Sequence, residues 1–93
     1  MTWTVLQSRR FARTYKKLHD RQAADVDAAV AAVAADPDRG EQKKCDLAAL
    51  WVYKFHSQGQ LFLLGYSRED TLRLISLEAL GPHENFYRDL KRG

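Results

Sequence analysis

Cysteine is almost missing from this chain: Cys45 is the single one in 93 residues. One thiol cannot close an intrachain disulfide, so the sequence is not that of a disulfide-stapled secreted domain, and a reducing cytoplasm is the expected compartment. Nor can one thiol form a paired-cysteine metal or redox site. A signal peptide is not indicated either, because in MTWTVLQSRRFARTYKK the basic cluster follows a short apolar run instead of preceding it.

Long apolar runs are missing too. No stretch approaches the roughly 18 consecutive apolar residues that a transmembrane helix needs. No repeat, linker or low-complexity tract interrupts the chain, and its 45% hydrophobic and 29% charged residues are ordinary for a globular protein. The sequence therefore predicts one soluble domain over residues 1–93, with a small core and no contact with a membrane.

Charge is unevenly distributed along the chain, although the net value is only +3. Residues 8–21 hold six basic side chains against one acid, whereas residues 22–42 hold five acids against one arginine. Such an asymmetry suggests a polyanion or an acidic protein as the partner. A solvated helix face explains the basic cluster equally well, so charge alone does not choose between the two.

The first half of the chain predicts a strand and two helices. Residues 2–7 (TWTVLQ) are β-branched and aromatic, as in a strand, and Ser8 suits the N-cap of a helix after it. Pro37 ends the second helix by Asp36, and the short connection between the helices predicts an antiparallel hairpin. Apolar side chains recur at helical spacing in two stripes: Phe11, Tyr15 and Leu18, then Val26, Val30 and Val33.

The second half changes to a period of two after a polar loop at residues 36–44. Three strands with two turns between them are predicted, at residues 47–56, 61–66 and 71–80, with turns at 57–60 and 67–70. In the first of these strands two sets of side chains point to opposite sides: Trp51, Tyr53 and Phe55, against Val52, Lys54 and His56.

A short helix is predicted at the end of the chain. Gly81–Pro82 should end the third strand, and Pro82 suits the first turn of a helix. Phe86 and Leu90 are four residues apart, so both can dock that helix on the rest of the domain.

The predicted order is β-α-α-β-β-β with a terminal helix. It indicates an α+β fold in which the helical hairpin packs on one face of a mostly antiparallel sheet. The hairpin leaves the other face without helices of its own. That face should be solvated, concave and functional, or covered by a partner, and Lys54 and His56 are expected on it.

His83 and Tyr87 are the pair that most suggests chemistry. In a helix they share one face, where an imidazole can exchange protons near neutral pH and a phenol can donate a proton or stack on a base. Two rings at this spacing are also a common packing pair, so both interpretations stay open. Basic residues follow that could bind phosphate: Arg88, Lys91 and Arg92.

Other classes of site lack their signatures. His83 and Glu84 are adjacent and would point apart on a helix, so they do not form a metal site, and no Ser or Cys lies in a nucleophile elbow. There is no Gly-rich phosphate loop. His19 and His56 are expected at the surface. The sequence predicts no metal and no cofactor, and a basic surface with His and Tyr beside an open sheet fits RNA better than a small molecule.

Beyond these patterns, the chain resembles toxins of the RelE/ParE superfamily, which belong to bacterial type II toxin–antitoxin pairs. The resemblance covers nearly the whole chain, through its length, its order of elements and three segments: RRFARTYKKL, LWVYKFHSQGQLFLLGY and LEALGPHENFYRDLKR. The last segment is the most specific, since it is similar to the GxHxxxY-type ending of HigB- and RelE-like members.

The resemblance implies a metal-independent endoribonuclease that cuts messenger RNA, usually in the ribosomal A site. In such toxins the 2′-hydroxyl of the RNA attacks its own 3′-phosphate. By position, Lys54 corresponds to a strand lysine on the cleavage face, Tyr87 to the C-terminal tyrosine, and His83 to the histidine of the HigB-like ending. A cytoplasmic bacterial protein is also implied, with a cognate antitoxin that masks the basic surface and through which alone the pair binds promoter DNA.

Departures from the family pattern leave a second function open. Val52 and Leu61 stand where ribosome-dependent relatives present basic residues, and Gly81 stands where an arginine often precedes the ending. Arg68 and Arg73 are the candidates that could compensate. If they do not, a non-enzymatic ParE-like inhibitor of DNA gyrase, or an inactive relative that only binds an antitoxin, fits the sequence as the alternative.

Overall fold

The computed structural model describes residues 3–43 and 50–91, with side chains as far as Arg88. Three helices and five strands occur in this part of the chain, together with a single 3₁₀ turn at Pro37–Arg39. In chain order they are β1 (Thr4–Gln7), α1 (Arg9–Lys16), α2 (Asp20–Ala35), β2 (Glu41–Gln42), β3 (Trp51–Ser57), β4 (Gln60–Glu69), β5 (Leu74–Pro82) and α3 (His83–Lys91). None of the described helices is long and apolar enough to cross a bilayer.

The five strands form one sheet in the order β1-β5-β4-β3-β2. β1 runs parallel to β5, and the other neighbours are antiparallel. The parallel pair exists because the chain crosses over through α1 and α2 after β1. The predicted α+β fold with a helical hairpin and a mostly antiparallel sheet is therefore confirmed.

The helical hairpin begins and packs as the sequence indicates. The Ser8 hydroxyl accepts from the Phe11 backbone N–H at 3.1 Å, which caps α1 as predicted. The Tyr15 hydroxyl donates to the Asp27 carboxylate at 2.8 Å and ties α1 to α2. Phe11 and Val33 are almost fully buried against the sheet, and each such side chain stabilises the fold by about 1.5–3 kcal/mol.

The sheet face beneath the hairpin, called the hairpin side from here on, carries the larger core. The predicted alternation in β3 is confirmed, because Trp51, Tyr53 and Phe55 all pack against this core. Its buried members are Phe11, Val26, Ala29, Val33, Phe62, Leu64, Tyr66, Ile75, Leu77 and Leu80.

The opposite face of the sheet is not bare, contrary to the expectation that no helix covers it. α3 folds back on β4 and β5, and Phe86 (3% exposed) joins a second cluster with Leu50, Val52, Leu63 and Ala79. This face is called the α3 side below. The docking of the terminal helix through Phe86 is confirmed, and the Leu90 side chain lies outside the described part.

The predicted ends of the three strands in the second half of the chain differ from the observed ones. Residues 47–49 of the first predicted strand lie outside the described part, and β3 begins at Trp51 and continues to Ser57. β4 extends through residues 67–69, which had been predicted as a turn, because Ser67, Arg68 and Glu69 pair with β5. The turn lies instead between β4 and β5, where Arg73 adopts a left-handed φ of 53°.

The end of β5 and the predicted polar loop also differ from expectation. Pro82 ends β5 opposite Phe62 and does not enter α3. β1 pairs with β5 no further than Leu77, so on the side away from β4 no strand lies beside Pro82. Within the predicted loop at residues 36–44, the described residues include the 3₁₀ turn and β2.

Candidate functional site

α3 places Tyr87 over the sheet and leaves His83 at the surface. The helix can lie close to the sheet because Gly65 has no side chain, and a Cβ there would come within 2.8 Å of Phe86 Cζ. Tyr87 is half-buried and packs edge-on against Phe86, with ring centroids 5.1 Å apart and an interplanar angle of 88°. His83 is exposed, begins α3 and precedes Tyr87 by one helical turn, so the two share a helix face.

Lys54 lies on the same side of the sheet as α3. It is exposed and pairs with Leu63, which in turn pairs with Gly81 on β5. Cross-strand partners point to one face, so Lys54 and position 81 share a row. At ordinary strand spacing their backbones are about 10 Å apart. Apart from Gly81 and its chain neighbours, no described residue places an atom within 4 Å of the position of a Gly81 Cβ, so there is room for a side chain at this point of the row.

Lys43 is the residue of this site that the sequence analysis missed. β2 pairs with β3 so that Glu41 faces Val52, and the Lys43 N–H donates to the Leu50 carbonyl at 2.9 Å. The Lys43 ammonium lies 5.8 Å from the centre of the Tyr87 ring. The alternation of Glu41 and Lys43 about Gln42 was the available signal, but two residues in a polar segment are too few to predict a strand.

The charges around Lys43 are paired and close. Its Nζ lies 3.0 Å from Glu41 Oε1, and the Lys43 side chain is 22% exposed, against 71% for Glu41. The hydrogen bond with Glu41, and then one with Tyr87, raise the pKa of Lys43 above its ordinary value. The same Glu41–Lys43 bond, with Lys54 nearby, lowers the pKa of Glu41. Both groups are therefore charged at neutral pH.

Arg68 lies on the hairpin side, away from Lys54. Its guanidinium carbon is 5.2 Å from the Trp3 ring centre and 4.7 Å from that of Trp51. Its nitrogens contact Asp38 at 2.6 Å and Asp70 at 2.7 Å. These carboxylates occupy the guanidinium, so phosphate would have to displace them.

The other predicted phosphate-binding residues are spread out. Arg73 is exposed in the turn before β5, and Arg88, also exposed, donates to Asn85 Oδ1 at 2.8 Å on α3. Lys91 ends α3 with its side chain outside the described part, and Arg92 lies outside it altogether.

His19 and His56 are both exposed, as predicted. His19 occupies the N-cap position of α2 without a side-chain hydrogen bond there. His56 pairs with Leu61 and so faces the α3 side, near the end of β3. Over residues 3–43 and 50–91 no three His, Cys, Asp or Glu side chains gather where they could hold a metal ion.

The α3 side thus combines two ammonium groups, one phenol and two imidazoles, of His83 and His56. Lys54 can neutralise phosphate charge, Tyr87 offers a hydroxyl and a ring, and His83 offers a group that exchanges protons. On the hairpin side, Arg68 is instead paired with two carboxylates.

Comparisons with solved structures place the fold among the RelE toxins. The RelBE2 toxin–antitoxin complex from Mycobacterium tuberculosis matches with a TM-score of 0.76 at 20% identity, over 89% of this chain and 100% of that one. The RelBE complex from E. coli matches at 0.70 and 16% identity, over 85% and 94%. An archaeal RelE–RelB complex from Pyrococcus horikoshii matches at 0.62 and 15%, over 88% and 96%.

The sequence itself identifies the family. No curated protein matches the chain. A family model described as the ParE-like toxin of type II bacterial toxin–antitoxin systems matches residues 5–91, which include every described element apart from the first residue of β1. The chain therefore belongs to the ParE-like toxins of type II bacterial toxin–antitoxin systems.

Proposed function

We propose that this toxin is an endoribonuclease that cuts messenger RNA on the ribosome without a metal ion and so blocks translation. The observation that carries the proposal is the grouping of Lys54, Tyr87 and His83 on the α3 side of the sheet, with Lys43 against Tyr87. Its structural neighbours include RelE toxins, and the family resemblance of the ending GPHENFYR points to the same chemistry.

The proposed reaction is transfer of the phosphoryl group from one RNA hydroxyl to another. The 2′-oxygen forms a bond to the adjacent phosphorus and loses its proton to a base. The bond from phosphorus to the 5′-oxygen of the next nucleotide breaks, and that oxygen takes up a proton. The products are a 2′,3′-cyclic phosphate and a 5′-hydroxyl, so atoms and charges balance without an added reactant.

His83, Tyr87 and Lys54 are the proposed catalytic residues. His83 and Tyr87 supply the groups that can accept and donate the two protons. Lys54 supplies positive charge where the phosphorane gains negative charge, which in enzymes is worth about 10²- to 10³-fold in rate for a single donor. The half-buried ring of Tyr87 also offers a base a surface to stack on.

Phosphates flanking the cut need further cations. Arg88 and Lys91 lie in α3, Arg92 follows Lys91 in the sequence, and Arg73 lies in the turn before β5. Arg68 is the weakest member of the predicted set because two carboxylates and two indole rings already hold it.

The partner that neutralises the toxin is proposed to be a cognate antitoxin. Three structural neighbours are toxin–antitoxin complexes, which supports this. An acidic, amphipathic antitoxin segment would complement the basic residues of α1 and cover the lysines of the α3 side. The pair would bind promoter DNA through the antitoxin, and both proteins would act in the bacterial cytoplasm.

Inhibition of DNA gyrase is the second candidate function. Two observations favour it: the family model is described as ParE-like, and the α3 side carries Val52 and Leu61 where ribosome-dependent relatives carry basic residues. A gyrase inhibitor needs a binding surface and no proton transfer. Induction in cells separates the two, because RNA cleavage halts translation first and gyrase inhibition triggers a DNA damage response first.

The decisive experiment maps messenger RNA ends in induced cells by primer extension. The unmodified toxin should produce discrete cuts, and His83→Ala and Tyr87→Phe should each weaken them strongly and relieve growth arrest while antitoxin binding is kept. His19→Ala is the matched control, since it removes an exposed histidine from the start of α2. Uncut messages from the unmodified toxin, or full toxicity in a variant that changes both residues, would refute the proposal. An induced host that grows normally would favour an inactive antitoxin-binding relative.

A further inference from the structure

Lys43 is held more closely than an ordinary surface lysine. Only 22% of its side chain is exposed, and its ammonium lies 3.0 Å from a carboxylate oxygen. The centre of an aromatic ring is 5.8 Å away. A lysine side chain loses up to about 2 kcal/mol of rotamer entropy when it is ordered. The contacts with Glu41 and Tyr87 must therefore offset this entropy loss.

β2 is what brings Lys43 to the site. The strand has only two residues, but its register with β3 sets Glu41 beside Val52 on the α3 side. The Lys43 N–H then donates to the Leu50 carbonyl at 2.9 Å and continues the alignment by one residue. Glu41 and Lys43 are two residues apart and so face the same way, with α3 above them.

Tyr87 is consequently held from two directions. Phe86 packs against it at an interplanar angle of 88°, and the Lys43 ammonium lies 5.8 Å from its ring centre. An exposed cation–π contact contributes about 0.5–1 kcal/mol, and more where water is excluded. Such an arrangement restricts the phenol to one position, which matters because misplacing a reacting group by about 1 Å can cost 100-fold in rate.

We propose that Lys43 is a positioning residue of the RNA-cleaving site, whose ammonium fixes the Tyr87 phenol over the sheet while Glu41 holds the ammonium in place. The inference rests on the proposed function, and it adds a residue that the sequence motifs of the ending do not contain. The raised pKa of Lys43, caused first by Glu41 and then by Tyr87, agrees with this arrangement.

The test measures single-turnover cleavage of a defined messenger RNA on programmed ribosomes. Lys43→Met should lower the rate at saturating substrate about 10- to 100-fold, because the phenol is no longer fixed. The half-saturating concentration should change less than about twofold, since Lys54 still meets the phosphate. Lys16→Met is the matched control, as it removes an exposed lysine from α1 on the hairpin side.

A double variant distinguishes positioning from an independent role. If Lys43 acts through the Tyr87 hydroxyl, then Lys43→Met should cause little further loss in the Tyr87→Phe background. Losses that multiply would overturn the inference, and so would a Lys43→Met rate equal to that of the control. In both cases the unmodified toxin still cuts, so the proposed function survives. If the unmodified toxin makes no cut, both the proposed function and the proposed role of Lys43 are refuted.

An NMR measurement on the free toxin tests the same contact without RNA. The Tyr87 ring signals should shift in Lys43→Met and stay in place in Lys16→Met. Titration of the Lys43 ε-methylene should show its pKa falling toward the ordinary value in Glu41→Gln, because the first cause of the raised pKa is removed. Unmoved ring signals in Lys43→Met would contradict the inference even if that variant is slow.

Discussion

The two faces of the sheet each hold a cation against aromatic rings, but the surroundings differ. On the hairpin side, Arg68 lies between Trp3 and Trp51 and contacts two carboxylates, with 13% of its side chain exposed. On the α3 side, Lys43 meets one ring and one carboxylate, and exposed Lys54 lies on the neighbouring strand.

The difference lies in how charge is balanced. Arg68 is one positive charge against Asp38 and Asp70, so that cluster is locally negative and closed to an anion. Lys43 and Lys54 are two positive charges against Glu41, which leaves an excess that an RNA phosphate can use. The two faces therefore differ in local net charge: two carboxylates outweigh Arg68 on the hairpin side, and one carboxylate stands against two lysines on the α3 side.

The largest effects should come from removing one cation on each side. Lys54→Met should reduce RNA cleavage about 10²- to 10³-fold. Its free energy of unfolding should change by less than about 0.5 kcal/mol, since Lys54 is exposed. Arg68→Met should lower the free energy of unfolding by roughly 1–3 kcal/mol, because cation–π contacts and hydrogen bonds are lost, and it should leave cleavage by the folded protein almost unchanged.

Urea unfolding and single-turnover cleavage of the same preparations check both halves of this prediction. The folded fraction of Arg68→Met should cleave within about twofold of the unmodified toxin, because the substitution is on the other face. A folded Arg68→Met protein that has lost cleavage would break the comparison and return Arg68 to the set of phosphate-binding residues.

A smaller pair of effects should follow from two glycines, one on each face. A methyl group at Gly65 would meet Phe86 at 2.8 Å and Leu50 at 3.2 Å, and one at Gly40 would meet Tyr66 at 2.9 Å from its Cζ. Each Ala variant should lose about 1–3 kcal/mol of stability to overpacking.

The activities of the glycine variants should differ although their stabilities are alike. Gly65→Ala pushes Phe86 and thereby α3, so it should also lower cleavage about tenfold by displacing Tyr87. Gly40→Ala disturbs the Tyr66 hydroxyl, which accepts from the Gly40 N–H and donates to the Pro37 carbonyl on the hairpin side, and should leave cleavage by the folded protein intact. If both variants lost activity equally, the loss would be due to lower stability and not to displacement of Tyr87.

Side-chain pattern predicted the hairpin side well and the α3 side only in part. The cap at Ser8 and the alternation of Trp51, Tyr53 and Phe55 can be read from a few neighbouring residues. They are found in the structure because tertiary packing favours the same local conformations. The contact of Lys43 with Tyr87 joins residues far apart in the chain through a two-residue strand and a docked helix, and no period in the sequence encodes it.

The misplaced strand ends have a related cause. Residues 67–69 are polar and suggest a turn, but backbone pairing with β5 holds them in β4, and Arg68 finds its partners on other elements. Polarity indicates exposure to water or a charged partner, and it does not by itself distinguish a turn from a strand whose charges are paired. The strand conformation of residues 67–69 is therefore set by their pairing with β5.

The smallest predicted effect is a gain, and it tests whether the α3 side is short of cations. Gly81→Arg should be tolerated, because no described residue beyond its chain neighbours comes within 4 Å of its Cβ position and its φ is not in the left-handed region. The new guanidinium would join the row of Lys54 and Leu63, where it adds charge beside the proposed phosphate site. Cleavage should rise a few-fold at low substrate. The slope of the logarithm of the RNA binding constant against the logarithm of salt concentration should become more negative by about 0.7, as for one further phosphate contact to a single strand.

The control is Ala31→Arg, which adds the same charge to an exposed position of α2 and should change neither the cleavage nor the salt slope. An equal gain from both substitutions would assign the effect to net charge, and the two faces would then no longer differ in the way their carboxylates suggest.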